Sequence, residues 1–200
     1  MVRPRLLPRA IMAEPDRGWP QLRPVWQPVP SAWFVTVTLL FAWLVVSLWL
    51  DDDGYLLGLD GLNLIVHEAG HFLFVWFGDT LELYGGTLLQ LAVPLLIALA
   101  FARQGEGQGV ALAGIWFFQS FLNVARYVAD ARVQLLPLVG GGGHDWYAIL
   151  SRWHVLRHDT RLAGLLRAAG WAGMLATYAW FAWRWHRDRR NAKAATDEIA

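Results

Sequence analysis

From Leu57 to Gly78 the chain is apolar enough to lie within a bilayer, yet the middle of that run holds His67-Glu68-Ala69-Gly70-His71. Ionisable side chains at membrane depth are costly, and they persist where they find partners or do chemistry. On a helix, residues four apart lie about one turn from each other, so His67 and His71 project from one face and can share a tetrahedral metal. Glu68 stands about 100° round the axis, beside that metal rather than on it, where a general base for a metal-bound water belongs. The bland alternative is a pair of His satisfied by hydrogen bonds inside a helix bundle. A metal answers both imidazoles at once. The expectation is therefore a zinc site with His67 and His71 as ligands and Glu68 as base.

Five other apolar stretches flank this one: 31–50, 85–102 with Pro94 inside it, 109–128, 144–156 and 162–183. Most reach or approach the ~20 residues that a crossing helix needs, and the stretch 144–156 is short enough to be only partly embedded. Asp51-Asp52-Asp53 and Arg103-Gln104-Gly105-Glu106-Gly107-Gln108 are polar breaks between them. With 56% hydrophobic and 16% charged residues, and 13 Trp, the composition is that of a membrane protein rather than a soluble domain. The predicted fold is an all-α, polytopic integral membrane helix bundle of about six membrane segments, with four as the lower bound if a middle segment is re-entrant together with the fifth. The zinc motif lies on the second segment.

Both ends are rich in Arg, which places both in the cytoplasm and requires an even number of crossings. Residues 1–30 read as a basic, Pro- and Arg-rich arm, 31–185 as one membrane domain with its core at 57–156, and 186–200 as a polar tail. The Arg-rich, nearly Lys-free composition points to a bacterial inner membrane. No basic patch interleaved with aromatics suggests nucleic acid. There is no cysteine, so disulfides, thiolate ligands and cysteine nucleophiles are excluded and any metal ligand is His, Asp or Glu.

Catalytic zinc sites usually have three protein ligands. The third is sought in Leu135-Leu136-Pro137-Leu138-Val139-Gly140-Gly141-Gly142-Gly143-His144-Asp145-Trp146, where a proline and four glycines break the backbone ahead of a His-Asp pair and an apolar helix. Broken backbone at membrane depth is tolerated where protein or a water-filled cavity covers it. Either His144 or Asp145 can complete the sphere. The competing roles are a helix N-cap for Asp145 and an interfacial or supporting position for His144. Asp130 is a third carboxylate, placed where a cap or charge pair accounts for it.

These residues together resemble the site-2 protease family of intramembrane zinc metalloproteases. The family carries His-Glu-x-x-His on one membrane helix and an aspartate from a later Leu-Asp-Gly or Asn-Pro-Asp-Gly segment at the start of another. His67-Glu68-Ala69-Gly70-His71 matches the first motif, glycine included. Asn123, Leu136-Pro137 and the glycine-rich approach to Asp145 follow the layout of the second, and Gly85-Gly86-Thr87 to Pro94 is similar to the small-residue segment after the zinc helix. The resemblance covers roughly residues 57–156. It implies zinc held by His67, His71 and Asp145, Glu68 as general base, Asn123 steadying the substrate or an oxyanion, and hydrolysis of peptide bonds in a membrane protein substrate. Trp146 departs from the family by standing where a glycine is usual.

Such a reaction needs water at the metal, through a polar cavity expected to open to the cytoplasm, and a locally unwound substrate segment, expected to rest on an edge or loop near 78–86. Two other classes fit parts of the pattern. A non-catalytic metal-binding scaffold would share the fold, although it has no use for Glu68 beside the metal. A membrane di-iron oxidoreductase would add His154 and His158, whose spacing repeats that of His67 and His71, but six His are few for its usual ligand set.

Overall fold

The computed structural model describes residues 25–50, 55–139 and 143–198, and among them every regular element is helical. Most of the basic arm, Asp51-Asp52-Asp53 and Gly140-Gly141-Gly142 lie outside the described residues. Six α-helices follow in order: α1 Ser31–Leu50, α2 Leu57–Phe74, α3 Asp79–Gln104, α4 Gly107–Ala129, α5 Asp145–Arg152 and α6 Asp159–Asp197. Single 3-10 turns follow α2, at Val75–Phe77, and precede α6, at Leu156–His158.

α1 has the bounds of its apolar run. α3 begins earlier than hydropathy suggests, because Asp79 and Glu82 in its first turn complement the positive end of the helix. Residues 79–86 are therefore helical, and the edge or loop expected there to hold an unwound substrate segment is the first part of α3 instead. α3 stops at Gly105, whose φ of 73° is the left-handed conformation glycine adopts without strain, and whose N–H caps the carbonyl of Ala102. α6 continues past Trp183 to Asp197, since its polar end is built from good helix formers such as Arg, Lys and Ala.

Contacts fix the direction of each helix. Gly86 and Glu82 of α3 meet His67 and His71 of α2; Phe101 and Gln90 of α3 meet Gly109 and Asn123 of α4. Leu122 and Gly114 of α4 meet Gly170 and Thr177 of α6, while Phe34 and Phe41 of α1 stack on Trp185 and Tyr178 of α6. Each of these pairs is antiparallel, so α1 and α2 run the same way. Alternate crossing by all six segments would require the second to reverse the first, and α5, with eight residues, is too short to cross. Of the six helices, α1, α3, α4 and α6 are the long ones, with α2 packed among them and α5 at one end.

The bundle has two distinct ends. At the tail end, the segment 25–30 is clasped by the α3–α4 turn and by α6: Gln27 N–H donates to Gly105 O (2.9 Å), Val29 N–H to Asp188 Oδ2 (3.1 Å), and Arg184 donates to Gln27 O (3.2 Å). At the loop end lie the α2–α3 turn, residues 130–139 and α5.

α4 is the central helix, with Gly107, Gly109, Ala111 and Ala113 buried along its first half. Small residues also let α2 approach α3: a Cβ on Gly70 would strike the carbonyl of Gly85 and stand 2.8 Å from Gly86 Cα. α1 and α3 are long and apolar enough to cross a membrane. A polar set, Asp60, Asn63, Gln90, Gln119 and Ser120, is buried within an otherwise apolar core, while the large apolar side chains of Trp43, Ile65, Phe72 and Leu96 are each at least 60% exposed. In an exposed helix Gly→Ala gains up to about 1 kcal/mol. Gly70→Ala is expected to show the opposite sign, losing about 1–3 kcal/mol by overpacking, read as a lower unfolding midpoint in detergent.

Candidate metal centre

α2 turns one polar stripe inward. Asp60, Asn63, His67 and Gly70 are its buried residues, spaced three or four apart and so aligned on one face. Asp60 accepts from the N–H of Leu56 (2.6 Å) and from Gln119 Nε2 (2.8 Å). Asn63 donates to Gln119 Oε1 (2.9 Å) and accepts from Trp116 Nε1 (2.8 Å). This ladder fixes the register of α2 against α4 and so the height of the two His that follow.

Each imidazole is held from behind. His71 Nδ1–H donates to the main-chain carbonyl of Glu82 (2.8 Å), and His67 Nδ1–H donates to Gln90 Oε1 (3.2 Å). Gln90 is oriented in turn by donating to Asn123 Oδ1 (2.7 Å). With Nδ1 protonated on both rings, both Nε2 atoms present lone pairs to the site. Asp145 Oδ2 joins them, 2.9 Å from His67 Nε2 and 3.1 Å from His71 Nε2, and the two Nε2 atoms are 3.1 Å apart.

Three acceptors that face one another need a cation between them. A proton serves one pair at a time; a metal serves all three. A tetrahedral zinc with bonds of about 2.0–2.1 Å separates its ligand atoms by about 3.3 Å, close to the observed triangle. The donor set of two imidazoles and a carboxylate also suits zinc. Among the described residues His67, His71 and Asp145 form the one such group of three.

Asp145, not His144, reaches the pair. His144 is the N-cap of α5, its Nδ1 accepting the N–H of Tyr147 (3.2 Å), so the capping role considered for Asp145 falls to its neighbour. The His144 ring lies against Tyr127 with its Nε2 3.3 Å from Asp130 Oδ2. Asp130 also accepts from the N–H groups of Leu135 (2.8 Å) and Leu136 (3.1 Å), tying down the chain that leads toward α5. The N–H of Asp145 donates to the Tyr127 hydroxyl (3.2 Å). Trp146 packs on the buried cluster of Val124, Ala125, Val128 and Leu150.

A cavity of about 720 Å³ adjoins the group. His67, Glu68, His71, Asn123, Tyr127 and Asp145 line it, with Asp79 and the apolar segment Leu136–Val139 toward the loop end. These lining residues belong to the loop end of the bundle, away from the Arg-rich tail. Asn123 touches the cavity and also steers Gln90. His154 and His158 sit in the turn between α5 and α6, outside the metal group; His154 adopts φ 57° and His158 accepts from Arg157 Nε (3.0 Å). Comparison with known proteins gives no match to a protein-family model, a curated protein or a solved structure.

Sequence reasoning passed over Gln90, Tyr127 and the role of Gly86. Gln90 was signalled by being the one amide in the apolar run 85–102; Tyr127 carried no local signal. Gly86 makes room for the imidazoles: a Cβ there would lie 2.5 Å from both Nε2 atoms. Gly86→Ala is expected to abolish metal binding with every ligand intact, read by elemental analysis of the purified protein. Gln90→Leu, which strands His67 Nδ1–H, is expected to weaken zinc binding about 10–100-fold in chelator competition.

Proposed function

We propose that this chain is an integral membrane zinc metallopeptidase, similar in kind to the site-2 proteases, that hydrolyses peptide bonds of membrane-embedded or membrane-proximal polypeptides. The observation that carries the reading is the convergence of His67 Nε2, His71 Nε2 and Asp145 Oδ2 beside Glu68, in a cavity large enough for a polypeptide segment. The large apolar side chains exposed along the helices and the hydrogen-bonded polar groups kept inside support a membrane setting, with α1, α3, α4 and α6 as the crossing helices and both Arg-rich ends in the cytoplasm of a bacterial cell.

His67, His71 and Asp145 would hold the zinc. The metal would supply a Lewis acid for the scissile carbonyl and a water with its pKa lowered to about 7. Glu68 accepts the proton of the attacking water on its carboxylate and returns it to the leaving nitrogen, a role worth about 10²–10⁴-fold in rate. Gln90 and the Glu82 carbonyl keep both rings in the tautomer that leaves Nε2 free. Tyr127 and the Asp130-bound loop hold Asp145 in place.

The test combines zinc content with cleavage of quenched-fluorescent peptides in detergent micelles. Wild type should carry about one zinc per chain and so should Glu68→Gln and His144→Ala, while His67→Ala and Asp145→Ala should lose it. Glu68→Gln should lose about 10²–10⁴-fold in cleavage rate. Wild type without zinc, or Glu68→Gln with undiminished cleavage, sinks the reading. Zinc retained by a wild type that cleaves no peptide leaves the non-catalytic scaffold in its place.

A further inference from the structure

The two ends of the bundle differ in charge and in what they expose. The tail end gathers Arg103, Arg187, Arg189, Arg190 and Lys193, and the Arg-rich arm enters there at Val25. The loop end carries Arg126, Arg132, Arg152, Arg157 and Arg161, with Arg132 bound to Asp159 at 2.7 Å, and so has fewer cations than the tail end once Arg184 and the five Arg of residues 1–24 are added there. Basic residues flanking crossing helices are retained in the cytoplasm, and an excess at one end sets orientation.

The cavity belongs to the other end. Its lining takes in Asp79 at the start of α3, Arg152 at the end of α5 and the segment Leu136–Val139 that follows α4. The clasp of residues 25–30 lies at the far end of α3, α4 and α6. Because α3 and α4 are 26 and 23 residues long, about 35 Å separates the two ends, enough for the apolar thickness of a bilayer.

Taking the membrane metallopeptidase reading as its basis, we infer that the metal centre is entered from the non-cytoplasmic face, and that its substrates are polypeptide segments emerging from the bilayer on that side. The lining matches such a segment, which is part apolar and part hydrated. Leu136, Leu138 and Val139 offer apolar contact, Val139 and Leu138 being 53% and 41% exposed, while Asp79, Glu82 and Arg152 supply charge at the same mouth. Water reaches Glu68 by the same route, so neither water nor substrate crosses the apolar body of the bundle.

The natural chain has no cysteine, so single reporters can be introduced without a background. Thr80→Cys and Leu138→Cys mark the mouth, and Lys193→Cys marks the tail; all three positions are exposed. Full-length variants in spheroplasts are treated with a membrane-impermeant maleimide before and after permeabilisation, and zinc is measured on the same purified proteins. Labelling of Thr80→Cys and Leu138→Cys before permeabilisation, with Lys193→Cys labelled only afterwards, is the expected result. The reverse pattern puts the mouth in the cytoplasm and overturns the inference, as does any pattern in which mouth and tail reporters behave alike. The zinc reading keeps the two ideas apart. Reversed labelling in a zinc-bearing protein removes the sidedness alone, whereas expected labelling in a protein that binds no zinc removes the metallopeptidase reading alone.

Discussion

Everything near the candidate metal centre depends on how α2 keeps a polar stripe inside an apolar bundle. An unpaired amide or carboxylate in such surroundings costs several kcal/mol, so the stripe is tolerable only if each group along it is answered. Asp60 and Asn63 are answered by Gln119, Trp116 and the main chain at Leu56, and the His by Gln90 and the carbonyl of Glu82. The partners come from two different helices. Sliding α2 by one turn would break all of these bonds except the local one from Leu56 to Asp60, which makes its register a cooperative property rather than the sum of separate contacts.

The same requirement explains the glycines. Hydrogen bonds from His71 to the main chain of α3 need the two backbones closer than ordinary side chains permit, and Gly70, Gly85 and Gly86 provide that closeness. Gly86 acts twice, since it also leaves the space into which both Nε2 atoms point. Packing and chemistry are therefore set by one interface. A side chain at Gly86 disturbs the ligands directly, whereas one at Gly70 disturbs the packing of α2 on α3.

Much of this was legible in the residues. The His67-Glu68-x-x-His71 spacing on an apolar helix already implied a shared metal, and the Pro- and Gly-broken approach to α5 already implied a ligand arriving from there. Asp145 and His144 could not be told apart by spacing, because both nitrogen and carboxylate suit zinc. Their separation rests on α5 starting at Asp145, which spends His144 on the cap. Hydropathy located the apolar runs but not their directions. Nothing in composition says that α1 and α2 run the same way, since that follows from which helices each packs against. Gln90 and Tyr127 were hidden for a similar reason: each acts through a residue distant in sequence.

The three ligands do not arrive with equal preorganisation. His67 and His71 lie on one helix and are braced by two others, so their Nε2 atoms are fixed as soon as α2, α3 and α4 pack. Asp145 begins a helix of eight residues, and its place depends on Tyr127 and on the Asp130 carboxylate gripping Leu135 and Leu136 ten residues upstream. A carboxylate between two imidazole lone pairs gains nothing by staying there without a cation. The proposed metal would therefore tie the start of α5 to α2 through the same triangle of acceptors. The chain that leads to α5 includes Leu136–Val139, so the ligand with the least bracing is also the one reached through the lining of the cavity.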